Sequence, residues 1–446
     1  MSLHRQLLVR QEAGRPIRVG LIGAGKFGTM FLAQARRTPG LHVMAIADLM
    51  PARAVDACKR AGWPDEACAA ADFEAALKSG GAHVTDDAMA LIAAPGLDVV
   101  VEATGSPAAG TTHALAAFAA GCHVVMVTVE ADALAGPLLA RRAEANRVVY
   151  SQAYGDQPAL IAEMVDWARA TGFEVVCAGK GTKYLPAYHQ MTPDTVWDHY
   201  GITAEDAAAG GMNPQMFCSF MDGSKSAIEM AAVANACGLT PAPDGLAFPP
   251  CGTGDLADTL KPRAHGGALD HPGTVEVVSS EMRQGGTVPD DLRWGVFVTF
   301  AAPDDYVRRC FAEYGLATDQ SGHYAAMWKP YHLIGLELGI SVASTALRGE
   351  PTGTAQAFNG DVAATAKRDL APGETLDGEG GYTVWGKLLP AADSLAQGAL
   401  PLGLAHGVKL KAPVAQGETL RWSDVEIDVA DPTVAFRREM EGEFRS

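Results

Sequence analysis

Three charged side chains in "DGSKSAIEMAAVANA" (222–236), Asp222, Lys225 and Glu229, fall within a narrow sector of a helix turning once every 3.6 residues or so. The rest of the wheel is apolar, and a helix apolar on most sides is normally buried. Charges in such surroundings need partners, a metal or a substrate. A partly desolvated ammonium can polarise a carbonyl or deliver a proton. Lys225 is therefore the expected catalytic group, with Asp222 and Glu229 positioning it; a structural buried ion pair is the rival reading. Two carboxylates joined by a third, such as Asp156, could instead ligate a divalent cation, but the sequence fixes no third ligand and no metal site is assigned.

A second cluster, "AGKGTKYLPAYH" (178–189), offers Lys180, Lys183, Tyr184, Tyr188 and His189 around glycines. Glycine beside lysine suits backbone N–H groups and an ammonium wrapped around an anion. Lys180 and Lys183 are thus expected to bind substrate, with the amide of Asn213 in "GMNPQMF" and with His332. The latter stands with His323, Lys329 and Tyr331 around the start of a later helix.

The third group is "GAGKFG": Gly23, Ala24, Gly25, Lys26, Phe27 and Gly28, in G-x-G-x-x-G spacing between an apolar run and a helical pattern. The glycines permit a tight turn and close approach of a pyrophosphate, met by the positive end of the helix. Asp48 closes the second strand, where its carboxylate can accept hydrogen bonds from an adenosine ribose. It would repel a 2′-phosphate, which favours NAD, while Arg53 nearby leaves NADP open. Thr104 and Gly105 in "EATGSP" and Thr128 and Glu130 in "TVEAD" are expected at the carboxyl edge of the sheet, where ligands of such folds collect. Glu102 and Asp132 read as solvated or capping carboxylates.

The elements that position these groups follow from hydrophobic period. "IRVGLIG", "LHVMAIAD", "LDVVVEATG" and "CHVVMVTVE" are continuous apolar strands separated by helical patterns, the grammar of a parallel sheet buried on both faces. After a polar arm, this gives an α/β, Rossmann-type doubly wound domain over 1–150. An α+β catalytic domain follows over 151–330. "KPYHLIGLELGISVASTALRG" then reads as a long helix with Pro330 in its first turn, and 331–358 is assigned to this helix, linking back towards the first domain. Gly335 and Gly339, one turn apart, would let it lie against another backbone. The remainder, 359–446, reads as a small β-rich domain in which "APGETLD" and "AQGETLR" are two related turns.

At 446 residues with a formal charge of −17, the chain fits about two to three domains and lacks the basic surface that nucleic acid requires. No long uncharged apolar run suggests a membrane span or secretory signal. The eight cysteines are scattered, with no C-x-x-C pair, as expected of reduced thiols in a cytoplasmic protein. The expected partners are a small-molecule substrate and further copies of the chain in a homo-oligomer.

"IRVGLIGAGKFG", "VEADALAGP", "EVVCAGKG", "DGSKSAIEMAAVANACGL" and "KPYHLIGLELGISVA" together resemble the homoserine dehydrogenase-like superfamily, most closely its branch similar to 1-deoxy-D-xylulose 5-phosphate reductoisomerase (DXR-like). The C-terminal segment resembles an SAF-type domain. The resemblance implies nicotinamide-dependent oxidation or reduction of a small hydroxy or keto compound, in some members with a carbon-skeleton rearrangement. The pattern departs from homoserine dehydrogenases: "TVEAD" has no lysine where they carry one, and their later Asp and Lys stand exchanged as Lys225 and Glu229. From the DXR-like proteins it departs at Asp48 and at "GTKYLPAYH". The reading is an NAD(P)-dependent oxidoreductase of a sugar-like, free or phosphorylated substrate. Its alternatives are a DXR-like reductoisomerase with a divalent metal and a non-catalytic dinucleotide sensor.

Overall fold

The computed structural model describes residues 2–209 and 212–445. They divide into two compact units: the chain up to Leu160 together with His332–Gln356, and Ile161–Tyr331 together with the chain from Ala357 onwards.

In the first unit, β1 (Ile17–Ile22), β2 (Leu41–Ala47), β3 (His83–Thr85), β4 (Val99–Glu102), β5 (His123–Met126) and β6 (Tyr150–Gln152) form one sheet. Its order is β3-β2-β1-β4-β5-β6 with every pairing parallel. Val19, Leu21, Val43, Ile46, Val99, Val101 and Val125 are buried in its core with Phe31 and Leu32 of the helix Lys26–Ala35. The strand order reverses between β1 and β4, the place where doubly wound sheets open a crevice for ligands. The expected polar arm is instead a helix, Leu3–Glu12, capped by the Ser2 hydroxyl.

The long helix expected from 329 onwards is interrupted. Only Gly339–Arg348 is helical, and Pro330 lies outside it. Gly335 takes φ +80° in the turn before it, and a Cβ there would stand 2.8 Å from the Phe27 carbonyl oxygen. The close approach foreseen for these glycines therefore occurs at Gly335 through a left-handed turn, which ends any helix begun earlier.

The second unit is built on a mixed sheet of β7 (Glu174–Thr182), β8 (Thr274–Ser279), β9 (Val296–Ala301), β10 (Ala317–Thr318) and β11 (Tyr324–Lys329). Its order is β10-β11-β9-β7-β8, with only β7 and β8 parallel. The residues assigned to a separate C-terminal domain fall in this same unit. They add the antiparallel pair β12 (Gly360–Ala366) and β14 (Val384–Pro390), and the three-stranded β13 (Thr375–Asp377), β15 (His406–Leu410) and β16 (Val425–Glu426).

The repeated turns exist. Leu370 and Val414, which precede them, exchange backbone hydrogen bonds of 2.9 and 3.1 Å. Glu374 accepts the Ala371 N–H as Glu418 accepts that of Ala415. Asn235 ties the helix Ser224–Cys237 to β12, its Oδ1 accepting the N–H groups of Asn359 and Gly360. Arg437, fully buried, anchors the last helix, Pro432–Glu443, to β12 through Asp361 at 2.7 Å, and within the helix it bonds Glu441 at 3.1 Å.

Candidate active site

The glycine turn of the first unit lies at the reversal of strand order. Gly23 has φ +97°, and a Cβ on it would come 2.4 Å from the carbonyl oxygen of Ala103, just past β4. Gly28 is as confined: its Cβ would stand 2.3 Å from the Gly23 carbonyl oxygen, so helix and turn touch through glycine. Gly25 differs. It caps the helix Lys26–Ala35 with ordinary φ, no side chain occupies that cap, and a Cβ there would meet nothing within 4 Å. Two glycines thus serve the fold, and the third leaves space in front of the helix's first N–H groups, the place for a pyrophosphate. Around it Ala24 is buried, Phe27 half-buried and Lys26 exposed.

Asp48 is buried at the end of β2, where its Oδ2 accepts the Ala24 N–H at 2.9 Å and its Oδ1 the Met50 N–H at 3.0 Å. Arg53 pairs with Oδ2 at 3.0 Å. Burial alone would push this carboxyl up, but the two N–H groups and then Arg53 outweigh it and hold it below the ordinary range. Oδ1, with one donor, keeps capacity for a ribose hydroxyl.

At the ends of β4 and β5 the hydroxyls of Thr104 and Thr128 both donate to Glu102, and Gly105 N–H donates to Thr128 Oγ1 at 3.0 Å. Glu102 is fully buried and also meets His113 Nδ1 at 3.2 Å, so it is neither solvated nor a cap. Asp132 is likewise buried, accepting from Tyr150 and Gln152. Glu130 sits in the first turn of the helix Val129–Ala145, at its positive end. The residues of this edge fit a bound dinucleotide.

In the second unit, the expected charged face is rearranged. Asp222 is not on the helix with Lys225 and Glu229: it ends the preceding helix, Pro214–Met221, and Gly223 at φ +93° separates the two. Its Oδ1 accepts the Ser224 N–H at 2.8 Å. Its Oδ2 pairs at 2.8 Å with Lys367, at the end of β12. Lys367 also donates to the carbonyls of Met191 (2.6 Å) and Gly381 (2.7 Å). Burial works against this ammonium, yet the Asp222 charge more than offsets it and raises its pKa. Asp222 is fully buried, and both of its oxygens are engaged within this unit.

Glu229 pairs with Lys180 of β7, and both are buried. The helix Ser224–Cys237 buries every residue except Lys225, which is half-buried. The anion loop expected around Lys180 is absent because this stretch is strand interior. Lys180 is registered with Val296 of β9, and Cβ atoms on Gly179 and Gly181 would collide with the carbonyl oxygens of Glu276 and Leu292. These glycines serve close strand packing. Lys183 is neutralised by Glu281 at 3.2 Å and donates to the His199 carbonyl. Asn213 is an exposed N-cap, its Oδ1 accepting the Gln215 N–H. His332 belongs to the first unit, apart from the other substrate candidates in sequence and in unit.

Sequence reading missed Lys367 and the ring stack beside Asp222. His189 Nδ1 donates to the Asp222 carbonyl at 2.7 Å, which leaves Nε2 to accept from the Tyr184 hydroxyl at 2.8 Å. Its ring stacks on Trp385 at 3.7 Å, and Tyr184 stacks on Phe248 at 3.8 Å. Burial, foremost, depresses the His189 pKa and raises that of Tyr184 to about 12. Only the cluster "YLPAYH" hinted at this. Among the described residues, no three His, Cys, Asp or Glu side chains gather as a metal site, and no helix is long and apolar enough to cross a membrane.

A glycine cradle at the switch point and an acidic residue ending β2 make the first unit a dinucleotide-binding type of fold, with an α+β unit beside it in the chain. Residues 17–127 match the family model described as oxidoreductase family, NAD-binding Rossmann fold (GFO/IDH/MocA), and residues 155–338 match that of oxidoreductase DRL, catalytic domain. The chain thus carries one segment matching an NAD-binding Rossmann domain and one matching the catalytic domain of an oxidoreductase.

No curated protein matches the chain. Among solved structures it is similar to a probable dehydrogenase from Thermotoga maritima, 17% identical over 41% of this chain and 52% of that one, with a TM-score of 0.29. An NAD binding oxidoreductase from Klebsiella pneumoniae is 23% identical over 40% and 45%, with a TM-score of 0.29. The myo-inositol dehydrogenase from Lactobacillus casei, in complex with NAD(H) and myo-inositol, is 17% identical over 41% and 50%, also at 0.29. The matches span about half the length of these structures.

Proposed function

We propose that the protein interconverts a hydroxyl and a carbonyl on a small, polar, sugar-like substrate, with NAD as its preferred dinucleotide. The observation that carries this reading is the helix Ser224–Cys237, buried at every position but Lys225. The nicotinamide, when bound, supplies or accepts the hydride. Lys225 holds the reacting oxygen of the substrate and moves its proton, and the neighbouring Glu229–Lys180 pair sets the local charge.

Three features refine this reading of cofactor, substrate and metal. Asp48 opposes a ribose 2′-phosphate, and the nearby guanidinium of Arg53 is already engaged with Asp48. Lys180 and Lys183 are each neutralised by a carboxylate, which favours an uncharged polyol or ketose over a phosphate ester. Asp222 and Glu229, the two carboxylates a DXR-like reductoisomerase would offer a metal, are each held by a lysine. Neither family model extends beyond residue 338; we read the SAF-like remainder as scaffold for the second unit and the working protein as a homo-oligomer.

A screen of free and phosphorylated four- and five-carbon ketoses, polyols and sugar acids, followed by nicotinamide absorbance with and without EDTA, tests this reading. Turnover with an unphosphorylated compound, insensitive to EDTA and at least about tenfold more efficient with NAD than with NADP, supports it; a tenfold preference is only about 1.4 kcal/mol of discrimination. Turnover confined to phosphate esters and abolished by EDTA would establish the reductoisomerase reading instead.

A further inference from the structure

We infer that Glu276 and Arg283 are positioning residues for Lys225, given the catalytic role proposed for it above: together they clamp residues 247 and 248, and this clamp sets Phe248 against the turn that starts the Lys225 helix. Glu276 lies on β8 and is buried. Its Oε2 accepts the Ala247 N–H at 3.0 Å, and its Oε1 accepts the Phe248 N–H at 3.3 Å. Arg283, exposed, holds the other edge of the same two residues. Its Nη2 donates to the carbonyl oxygens of Ala247 at 2.7 Å and Phe248 at 2.9 Å. One acid and one base thus take up both backbone donors and both backbone acceptors of Ala247 and Phe248.

The clamped conformation is one that phenylalanine does not favour. Phe248 has φ +50°, and a bulky side chain stays in the left-handed region only where its surroundings over-determine it. Held there, its ring stacks on Tyr184 with centroids 3.8 Å apart and planes 19° from parallel. The Arg283 guanidinium stands 5.8 Å from the centre of the same Tyr184 ring, so clamp and stack share a residue. The Tyr184 hydroxyl in turn donates to His189.

The rings of His189 and Phe248 close on Gly223. A Cβ on this glycine would stand 3.1 Å from His189 Cε1 and 3.6 Å from Phe248 Cζ. The Gly223 carbonyl accepts the Ala227 N–H at 2.9 Å, which closes the first turn of the helix Ser224–Cys237, the turn that carries Lys225. Ser224 is fixed separately, its N–H by Asp222 and its hydroxyl by the Gly386 N–H, both at 2.8 Å. The rings are what bears on Gly223, and Phe248 is the one of them that a strained backbone holds in place. If the clamp opens, Phe248 relaxes to ordinary negative φ, its ring leaves Gly223, and the turn under Lys225 loosens.

The test uses the full chain and Arg283→Met, which removes both carbonyl bonds at an exposed position and leaves Glu276 in place. Two readouts need no substrate: hydrogen exchange at the Ala247 and Phe248 amides by mass spectrometry, and acylation of Lys225 by a succinimidyl ester, followed by peptide mapping. Pro249 and Pro250 carry no N–H, so few neighbouring amides dilute the exchange signal. The expected result is exchange at least about tenfold faster and Lys225 acylation at least about threefold faster, with an unchanged circular dichroism spectrum. Arg283→Lys restores a donor and should return Lys225 acylation to within about twofold of wild type. With a substrate from the screen, Arg283→Met should lower kcat at least about fivefold at unchanged KM. Exchange at the wild-type rate, or faster exchange with Lys225 acylated as in the wild type, overturns the inference. Faster acylation in Arg283→Met beside near-wild-type turnover of Lys225→Met would uphold the clamp and refute the catalytic role of Lys225 instead.

Discussion

Replacing Lys367 by methionine keeps the apolar stem and removes the ammonium that pairs with Asp222 just before the helix Ser224–Cys237. Three oxygens lose their donor: Asp222 Oδ2 at 2.8 Å and the carbonyls of Met191 and Gly381 at 2.6 and 2.7 Å. Asp222 is fully buried and retains the Ser224 N–H at 2.8 Å. Removing one partner of a buried ion pair costs roughly 3–5 kcal/mol, because the remaining charge cannot return to water. Each orphaned carbonyl adds about 1–3 kcal/mol, and these costs overlap because the groups share one site. The expected loss is therefore about 4 kcal/mol, a large share of the ~5–15 kcal/mol that holds a typical domain folded. Urea unfolding followed by circular dichroism measures it. The double variant Asp222→Asn/Lys367→Met removes the stranded charge and should recover about 1–3 kcal/mol. A loss below about 1 kcal/mol for Lys367→Met, or a double variant no more stable than the single one, would refute the assignment of Asp222 and Lys367 as a buried structural pair.

Two further outcomes follow from particular residues. Gly25→Ala should keep wild-type thermal stability, because its Cβ meets nothing within 4 Å, yet raise the NAD dissociation constant at least about tenfold by filling the pyrophosphate cradle; Gly23→Ala, 2.4 Å from the Ala103 carbonyl oxygen, should instead lower the melting temperature. Glu276 is lifted by burial to about 7, against the N–H groups of Val277, Ala247 and Phe248 and the charge of Arg283. Its folded pKa lies above its unfolded value of about 4.3, so the folded state holds the extra proton between them and stability falls as pH rises through that window, by on the order of 3 kcal/mol, then levels off above pH 7 or so. Unfolding free energies at pH 5 and pH 8 should show this slope in the wild type and lose it in Glu276→Gln.

The parts legible in the sequence are those whose determinants are local. The glycine spacing of Gly23, Gly25 and Gly28 and the placement of Asp48 depend on one strand, one turn and one helix, and all four stand at the reversal of strand order or the end of β2. Strands of three residues, β3 and β6, carry too little pattern to be read. Periodicity also misplaced Asp222, because a wheel drawn through Gly223 assumes a helical φ that this glycine does not adopt. "AGKG" looked like an anion loop because glycines packed inside a strand and glycines in a loop are alike in sequence; only the nearness of the Glu276 and Leu292 carbonyls separates them. The charge partners were hidden for a different reason. Lys180 reaches Glu229 from β7, and Lys367 reaches Asp222 from β12, so both pairs depend on tertiary packing that no local pattern encodes.

The most direct test of the proposed chemistry is steady-state turnover of Lys225→Met set beside its NAD(H) affinity by isothermal titration, using whichever substrate the screen returns. Unchanged cofactor binding with turnover lowered at least about a hundredfold is the predicted result, the usual scale for losing a general acid or an electrostatic contact to the reacting oxygen. Near-wild-type turnover in that variant would contradict the assignment and move the catalytic group away from the helix Ser224–Cys237.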